Sequence, residues 1–367
     1  MKKFKSLMLA ALASAALAAP SFADGHSLKS SGEVVVGMKY SSSTPDGGDT
    51  TTVQDTYIGD VNMKLSQDIW GIEFNKDDEG DGKVHVNWEA TASSGDNTVT
   101  GSAKIEDIFS AAGKPGYGDV FIKGANKTLS VKVGKFGSSE NYNGGMGNFR
   151  ASDFGVGNVE HITIDGFMGL QADVDAGDID IELAVPWMEA STGAYALKLK
   201  DGTETKTNVT GIRPVIKGGF GDVSVSATFY TLSFSAQNNG AGDTQDKSDS
   251  AFQLMGKVGA GAATVGLGYT TKTTKNGEEE MTPSTLNGFV EVGLSGGSKV
   301  GASFEVLGSG HETDEATATR ISASYNTPFF VEAVTLKLGA GTSTVSSDDK
   351  SRAGSASGFE AEWAYSF

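Results

Sequence analysis

The chain has 367 residues, of which 50 are Gly, 7 are Pro and none is Cys, and its formal net charge is −17 at pH 7. The absence of Cys excludes a disulfide framework, a thiolate metal site and a catalytic thiol, and the acidic balance argues against nucleic acid as a partner. Hydrophobic residues at 38% and aromatics at 9% are too many for a disordered chain, and abundant Gly without a collagen period points to one large β architecture with many tight turns.

The first segment reads as a secretory signal. Lys2, Lys3 and Lys5 form a basic start, Leu7–Ala19 is apolar, and Ser21-Phe22-Ala23 is a small-x-small cleavage site followed by Asp24, the first acidic residue. Residues 1–23 are expected to be removed on export through the Sec route, leaving 24–367 as one domain. Past Ala23 no apolar run approaches the ~18 residues of a transmembrane helix. A transmembrane β-barrel escapes that criterion, because its lipid-facing residues alternate with polar ones.

Such alternation recurs along the chain. Val34, Val36, Met38 and Tyr40 flank Glu33 and Lys39; Val84, Val86 and Trp88 flank His85, Asn87 and Glu89; Leu129, Val131 and Val133 flank Ser130 and Lys132. Ile179, Ile181 and Leu183 flank Asp180 and Glu182, and Val223, Val225, Ala227 and Phe229 interleave with Ser224, Ser226 and Thr228. Phe252, Leu254 and Val258, then Ala263, Val265, Leu267 and Tyr269, then Val300, Ala302, Phe304 and Val306, then Val334, Leu336, Leu338 and Ala340 repeat the pattern. A period of two puts the apolar groups on one face of a strand and the polar groups on the other. The last segment is the clearest, with Phe359, Ala361, Trp363, Tyr365 and Phe367 opposite Gly358, Glu360, Glu362, Ala364 and Ser366.

The connections alternate in length. Asp175–Asp178, Gly218–Asp222, Gly259–Ala262 and Ser295–Ser298 are short Gly-rich turns, while Ser42–Thr52, Ser235–Ser250, Thr273–Ser284, Gly308–Thr317 and Ser346–Ser355 are long and polar. An up-and-down barrel in a bilayer needs tight turns on one rim and open loops on the other. Counting segments predicts sixteen antiparallel strands, an even number as single-chain bacterial barrels have; Ser66–Gly82 reads either as a long turn or as holding an extra hairpin arm at Gly71–Asn75. One connection departs from the pattern: Gly137–Thr163 is far longer, and holds Arg150, one of four arginines, with Tyr142, Met146, Phe149 and Phe154 to pin it to a wall.

With these features together the chain resembles the general diffusion porins of Gram-negative bacteria, the sixteen-stranded trimeric barrels of the outer membrane. The resemblance rests on the signal peptide, the Thr128–Phe136 strand running into the long connection, the alternating turns and loops, and Phe367 after Trp363 and Tyr365. It implies an all-β transmembrane barrel with an inward-folded third loop, Gly137–Thr163, whose acidic groups Glu140, Asp153 and Glu160 face basic wall groups; Arg150 belongs to the same loop. The family's Pro-Glu-Phe-Gly-Gly loop motif is absent, with Asn143-Gly-Gly-Met-Gly147 in its place. The resemblance also implies a homotrimer in contact with outer-membrane lipid and lipopolysaccharide, and Trp363, Tyr365 and Phe367 as the signal read by the barrel-assembly machinery.

On the inward face the residues offer Lys39, Lys64, Lys132, Arg213, Lys257, Lys299, Arg320 and Lys337 as cations, against Glu33, Asp60, Glu89, Asp180, Glu182, Glu291, Glu305, Glu360 and Glu362. Rings of net negative charge favour cations, so mild cation selectivity is expected. Other chemistry finds no footing. Asp77–Gly82 resembles the start of a calcium loop, but Trp88 stands where the bidentate Glu belongs, and an acidic turn is the better reading. His26, His85, His161 and His311 show no ligand spacing, and no nucleophile elbow or phosphate loop occurs. The expectation is a passive, water-filled channel for small hydrophilic solutes and ions, with no enzyme activity, metal or cofactor. Its rivals are a substrate-selective outer-membrane channel and a secreted acidic β-rich adhesin.

Overall fold

The computed structural model describes residues 29–67, 70–76, 83–106, 116–136, 167–190, 196–198, 203–236, 247–277, 279–310, 316–329, 331–347 and 353–366. The signal segment 1–23 lies outside them. In chain order the first strands are β1 (Lys29–Pro45), β2 (Thr51–Gln67), β3 (Trp70–Lys76), β4 (Lys83–Ser94), β5 (Asn97–Glu106), β6 (Gly116–Ala125), β7 (Leu129–Phe136), β8 (Phe167–Asp175) and β9 (Ile179–Ala190). A separate two-stranded hairpin follows, β10 (Leu197–Lys198) with β11 (Glu204–Thr205). The wall resumes with β12 (Thr207–Phe220), β13 (Val223–Ala236), β14 (Lys247–Ala260), β15 (Ala263–Asn276), β16 (Glu279–Met281), β17 (Ser284–Gly293), β18 (Lys299–Gly308), β19 (Ala316–Phe329), β20 (Val331–Ser347) and β21 (Gly354–Ser366).

Each wall strand pairs antiparallel with its neighbour in sequence, β9 pairs with β12 across the hairpin, and β21 pairs with β1 from Glu33↔Ser366 to Pro45↔Gly354. The ladder therefore returns to its starting strand. Strands β12 to β15 have 14 residues each, more than the ~9–11 needed to cross a bilayer at a tilt. Among the described residues no helix is long and apolar enough to cross a membrane.

The sheet contains 19 strands among the described residues, not the sixteen expected from periodicity. The additions are β3, β5 and the three-residue β16. On β5 the outward apolar series is Val99, Gly101, Ala103 and Ile105, so small residues thin the pattern. β16 continues the pairing of β17 along β15 beyond the interruption at Pro283. These additions also shift the loop count: Gly137–Thr163 belongs to the fourth long-rim connection rather than the third, and it lies outside the described residues.

The predicted asymmetry of the rims holds. At one rim the turns are as short as Gly95-Asp96, Gly221-Asp222 and Gly261-Ala262, and at the other lie the connections 137–166, 191–206 and 237–246. Gly261 has φ +62, a left-handed conformation that a two-residue hairpin turn requires and L side chains resist. Gly134 has φ +144 inside β7, and a Cβ there would stand 2.2 Å from the Val120 carbonyl oxygen on β6. β6 and β7 can approach this closely because that position is Gly.

Burial is inverted relative to a water-soluble protein. Leu254, Leu267, Ile216 and Ile321 are 50–57% exposed on the outer face, while Gln253, Thr270, Asn287 and Ser322 on the inner face are at most 5% exposed. A soluble monomer rarely shows contiguous apolar surface beyond a few hundred Å². Here nearly every strand presents some, and the polar side is turned inward, as lipid outside and a polar lumen inside require.

Candidate functional site: the inner wall

Alternation places one face of each strand on the inner wall, and ion pairs organise that face. On β9 and β12, Arg213 Nη1 donates to Glu182 Oε1, and both side chains are at most 5% exposed. Their register is diagonal, since Arg213 faces Ala184 and Glu182 faces Val215; a long side chain bridges such an offset. Further round the wall Arg320 Nη1 donates to Glu305 Oε2 at 3.0 Å, between directly opposed residues of β18 and β19, with Glu305 at 1% exposure. Lys299 pairs with Glu291 at 3.0 Å and Lys337 with Glu362 at 3.7 Å. Four wall cations thus sit in couples, each with a carboxylate on a neighbouring strand.

Neutral groups fill the rows between. Gln253 Nε2 donates to Thr270 Oγ1 at 3.0 Å, Ser303 and Ser322 share a bond of 2.6 Å, and Asp173 accepts from Ser130 at 2.7 Å and Gln171 at 2.8 Å. Cross-strand polar ladders of this kind satisfy buried groups without an apolar core.

The predicted site residues are placed as follows. Arg213, Arg320, Lys39 and Lys132 stand on the inner face. Lys39 is in register with Asp55 and Glu360, an acidic flank on each side. Lys132 Nζ lies 4.9 Å from the Phe121 ring and 4.8 Å from the Phe136 ring, and the two rings meet edge to face; the cation holds both against the wall. Lys64 also stands on the inner face, exposed near the turn rim: it opposes Ser31, and a period of two sets both on the opposite side from the outward pair Val34 and Val61. Glu140, Arg150, Asp153 and Glu160 lie outside the described residues, as does Phe367. Trp363 and Tyr365 are on the outer face of β21, opposite Val36 and Val34 of β1.

Sequence reasoning missed an apolar cluster on the inner wall near the loop rim. Phe136, Ala184, Val209, Tyr230, Leu232 and Ala251 pack together there, each buried. A signal was present in β13. Up to Phe229 the apolar residues point out; beyond it Tyr230, Leu232 and Phe234 point in, while Thr231, Ser233 and Ser235 point out. The two faces exchange character, which marks where the strand leaves the lipid and meets something apolar inside.

A family model described as Gram-negative porin matches residues 6–367. No curated protein matches the sequence. Among solved structures, the trimer form of OmpT, an outer membrane protein of Vibrio cholerae, is similar at 13% identity and a TM-score of 0.56, covering 94% of this chain and 100% of that one. An anion-selective porin from Comamonas acidovorans is similar at 11% identity and a TM-score of 0.56, over 93% of this chain and 100% of that one. Salmonella typhi OmpF, solved with daunomycin, is similar at 12% identity and a TM-score of 0.53, over 95% and 99%. At such identity these likenesses establish the fold alone: an antiparallel β-barrel.

Proposed function

Because the chain belongs to the Gram-negative porin family, and so to the outer membrane, we propose that it forms a water-filled channel for passive diffusion of small hydrophilic solutes and ions, with mild preference for cations. The observation that carries this reading is the inner wall itself, a belt of charged couples and hydroxyl ladders behind an apolar exterior. Polar lining keeps a pore wet, and its charge sets which ions enter. Four wall cations already face a carboxylate each, which offsets their pull on anions, and the chain as a whole carries 46 acidic against 29 basic residues. The Comamonas porin, described as anion-selective, has the same fold; the proposed cation preference therefore rests on this chain's wall charge and not on barrel architecture. In planar bilayers under a KCl gradient the reversal potential is expected to have the sign of K⁺ preference. A potential of the opposite sign overturns that part of the proposal.

The segment Gly137–Thr163 is the proposed constriction, with Glu140, Asp153 and Glu160 as acidic groups and Arg150 beside them. Support comes from its root: Phe136, the last residue of β7, is fully buried on the inner face beside Lys132. Deleting residues 144–157 is expected to raise single-channel conductance, and an unchanged conductance removes the segment from the eyelet. The assembly proposed is a homotrimer, as the OmpT structure is described, so conductance should appear in three equal steps. Contact with lipid and lipopolysaccharide on the outer face, and insertion by the barrel-assembly machinery through Trp363, Tyr365 and Phe367, complete the reading.

A further inference from the structure

The connection from β9 to β12 does not stand away from the barrel. Its base is joined by an exposed pair, Lys206 with Glu189 at 3.2 Å. From there the β10–β11 hairpin turns back over the inner face. Ala196 and Leu197 are each 3% exposed. The Leu197 N–H donates to Thr207 Oγ1 at 2.8 Å, and that hydroxyl donates in turn to the Thr205 carbonyl at 2.9 Å. Two strands further round the wall, Lys247 Nζ donates to the Ala196 carbonyl at 3.2 Å and sits 4.9 Å from the Phe234 ring. Lys247 and Phe234 belong to the inward faces of β14 and β13, so a contact from Ala196 to Lys247 crosses the inside of β12 and β13. The hairpin thus lies over the inner face at the loop rim, tied to β12 at the wholly buried Thr207 and to β14 at Lys247.

We propose that the β10–β11 hairpin is a second inward-folded element that narrows the loop-rim mouth of the lumen, and that Lys247 is the positioning residue that latches it. This rests on the channel reading above. The physical logic is one of demand and supply. Above Phe229 the inner wall turns apolar, and apolar wall facing water is unfavourable by roughly 25 cal/mol per Å². Ala196 and Leu197, each 3% exposed at this rim, add buried apolar surface of their own. The ammonium then fixes the hairpin's open carbonyl with a charge-assisted bond, which is stronger than a neutral one, while its stem and charge rest on Phe234. Solutes entering from the loop side must pass what space the hairpin leaves, so it acts on size selection together with, and independently of, the segment 137–163.

The native chain has no cysteine, so single cysteines report cleanly. Leu197→Cys in proteoliposomes is expected to react slowly with a charged, water-soluble thiol reagent, compared with Thr203→Cys. Adding Lys247→Met should speed labelling of Leu197→Cys by about tenfold or more, from loss of one charged hydrogen bond, and Lys247→Arg should restore slow labelling. In bilayers, replacing residues 196–205 with a short Gly-Ser link should raise conductance by on the order of 1.5-fold, since conductance follows the hydrated cross-section of a pore. Heat-modifiable gel mobility checks that each variant has folded. Fast labelling of Leu197→Cys in the otherwise native chain overturns the placement of the hairpin. Slow labelling with unchanged conductance of the link variant overturns its narrowing role. If the native chain does not conduct, the channel reading fails, and the labelling still decides where the hairpin sits.

Discussion

Arg213→Ala is expected to destabilise the folded barrel by about 3–5 kcal/mol, because it strands the Glu182 carboxylate inside the wall. Glu182 is 4% exposed and Arg213 2% exposed, so water cannot take the place of the guanidinium without rearrangement of β9 and β12. The measurement is equilibrium unfolding in urea from lipid vesicles, followed by tryptophan fluorescence and gel mobility. The sign of the effect depends on the leftover charge, and the double variant Arg213→Met with Glu182→Gln separates the two contributions. Removing both charges together should recover most of the loss, since a neutral pair of similar size leaves nothing ionic buried. A double variant as unstable as Arg213→Ala would mean that shape rather than charge sets the cost. The exposed pair Lys206–Glu189 provides the contrast: both side chains are more than half exposed, and Lys206→Ala should change stability by at most about 0.5 kcal/mol.

The second large effect lies on the other face. Leu254 is near the middle of β14, 50% exposed, and opposed to Ala227 and Tyr269 on its neighbours. Leu254→Arg should cost about 2–4 kcal/mol, the price of a cation at the bilayer midplane on a barrel's lipid face. Lys257→Glu, three residues along the same strand but on the inner face, reverses a charge where water can reach it. It should fold like the native chain and shift the reversal potential toward K⁺. Equal destabilisation by both changes would contradict the assignment of faces in β14.

The division between faces was the part most legible in the sequence. Val300, Ala302, Phe304 and Val306 against Ser303 and Glu305 defined a wall strand from residues alone, and the couple Glu305–Arg320 lies where that alternation put both charges. Legibility failed where side chains carry little contrast. β5 exposes Gly101 and Ala103 between Val99 and Ile105, so its apolar face hardly differs from its polar one, and the strand reads as a polar stretch. β3, at seven residues, is too short for a periodic pattern to accumulate. The β10–β11 hairpin was hidden for another reason. Lys198, Lys200, Asp201 and Glu204 make it look like an ordinary solvent loop, and what holds it is Lys247, distant in sequence and recognisable as a partner only once β13 and β14 are aligned. The exchange of faces at Tyr230, Leu232 and Phe234 was present in the residues but went unused, and it does not say what faces the apolar patch.

The pairing of β1 with β21 carries a consequence for biogenesis. It joins residues near the two ends of the chain, from Glu33↔Ser366 to Pro45↔Gly354, so the seam spans the greatest contour length the molecule offers. Contacts of such separation form late, because the loop entropy comes before the reward. Until β21 arrives, β1 and β20 are bare edges, and in a bilayer each unpaired backbone group costs several kcal/mol. A chain halted before Gly354 has no arrangement in lipid that pairs every N–H and C=O, and it is left with two adhesive borders. Loss of β21 therefore leaves the hydrogen-bond inventory of both β1 and β20 unmet, so truncation ahead of it yields something the membrane rejects rather than a leaky pore.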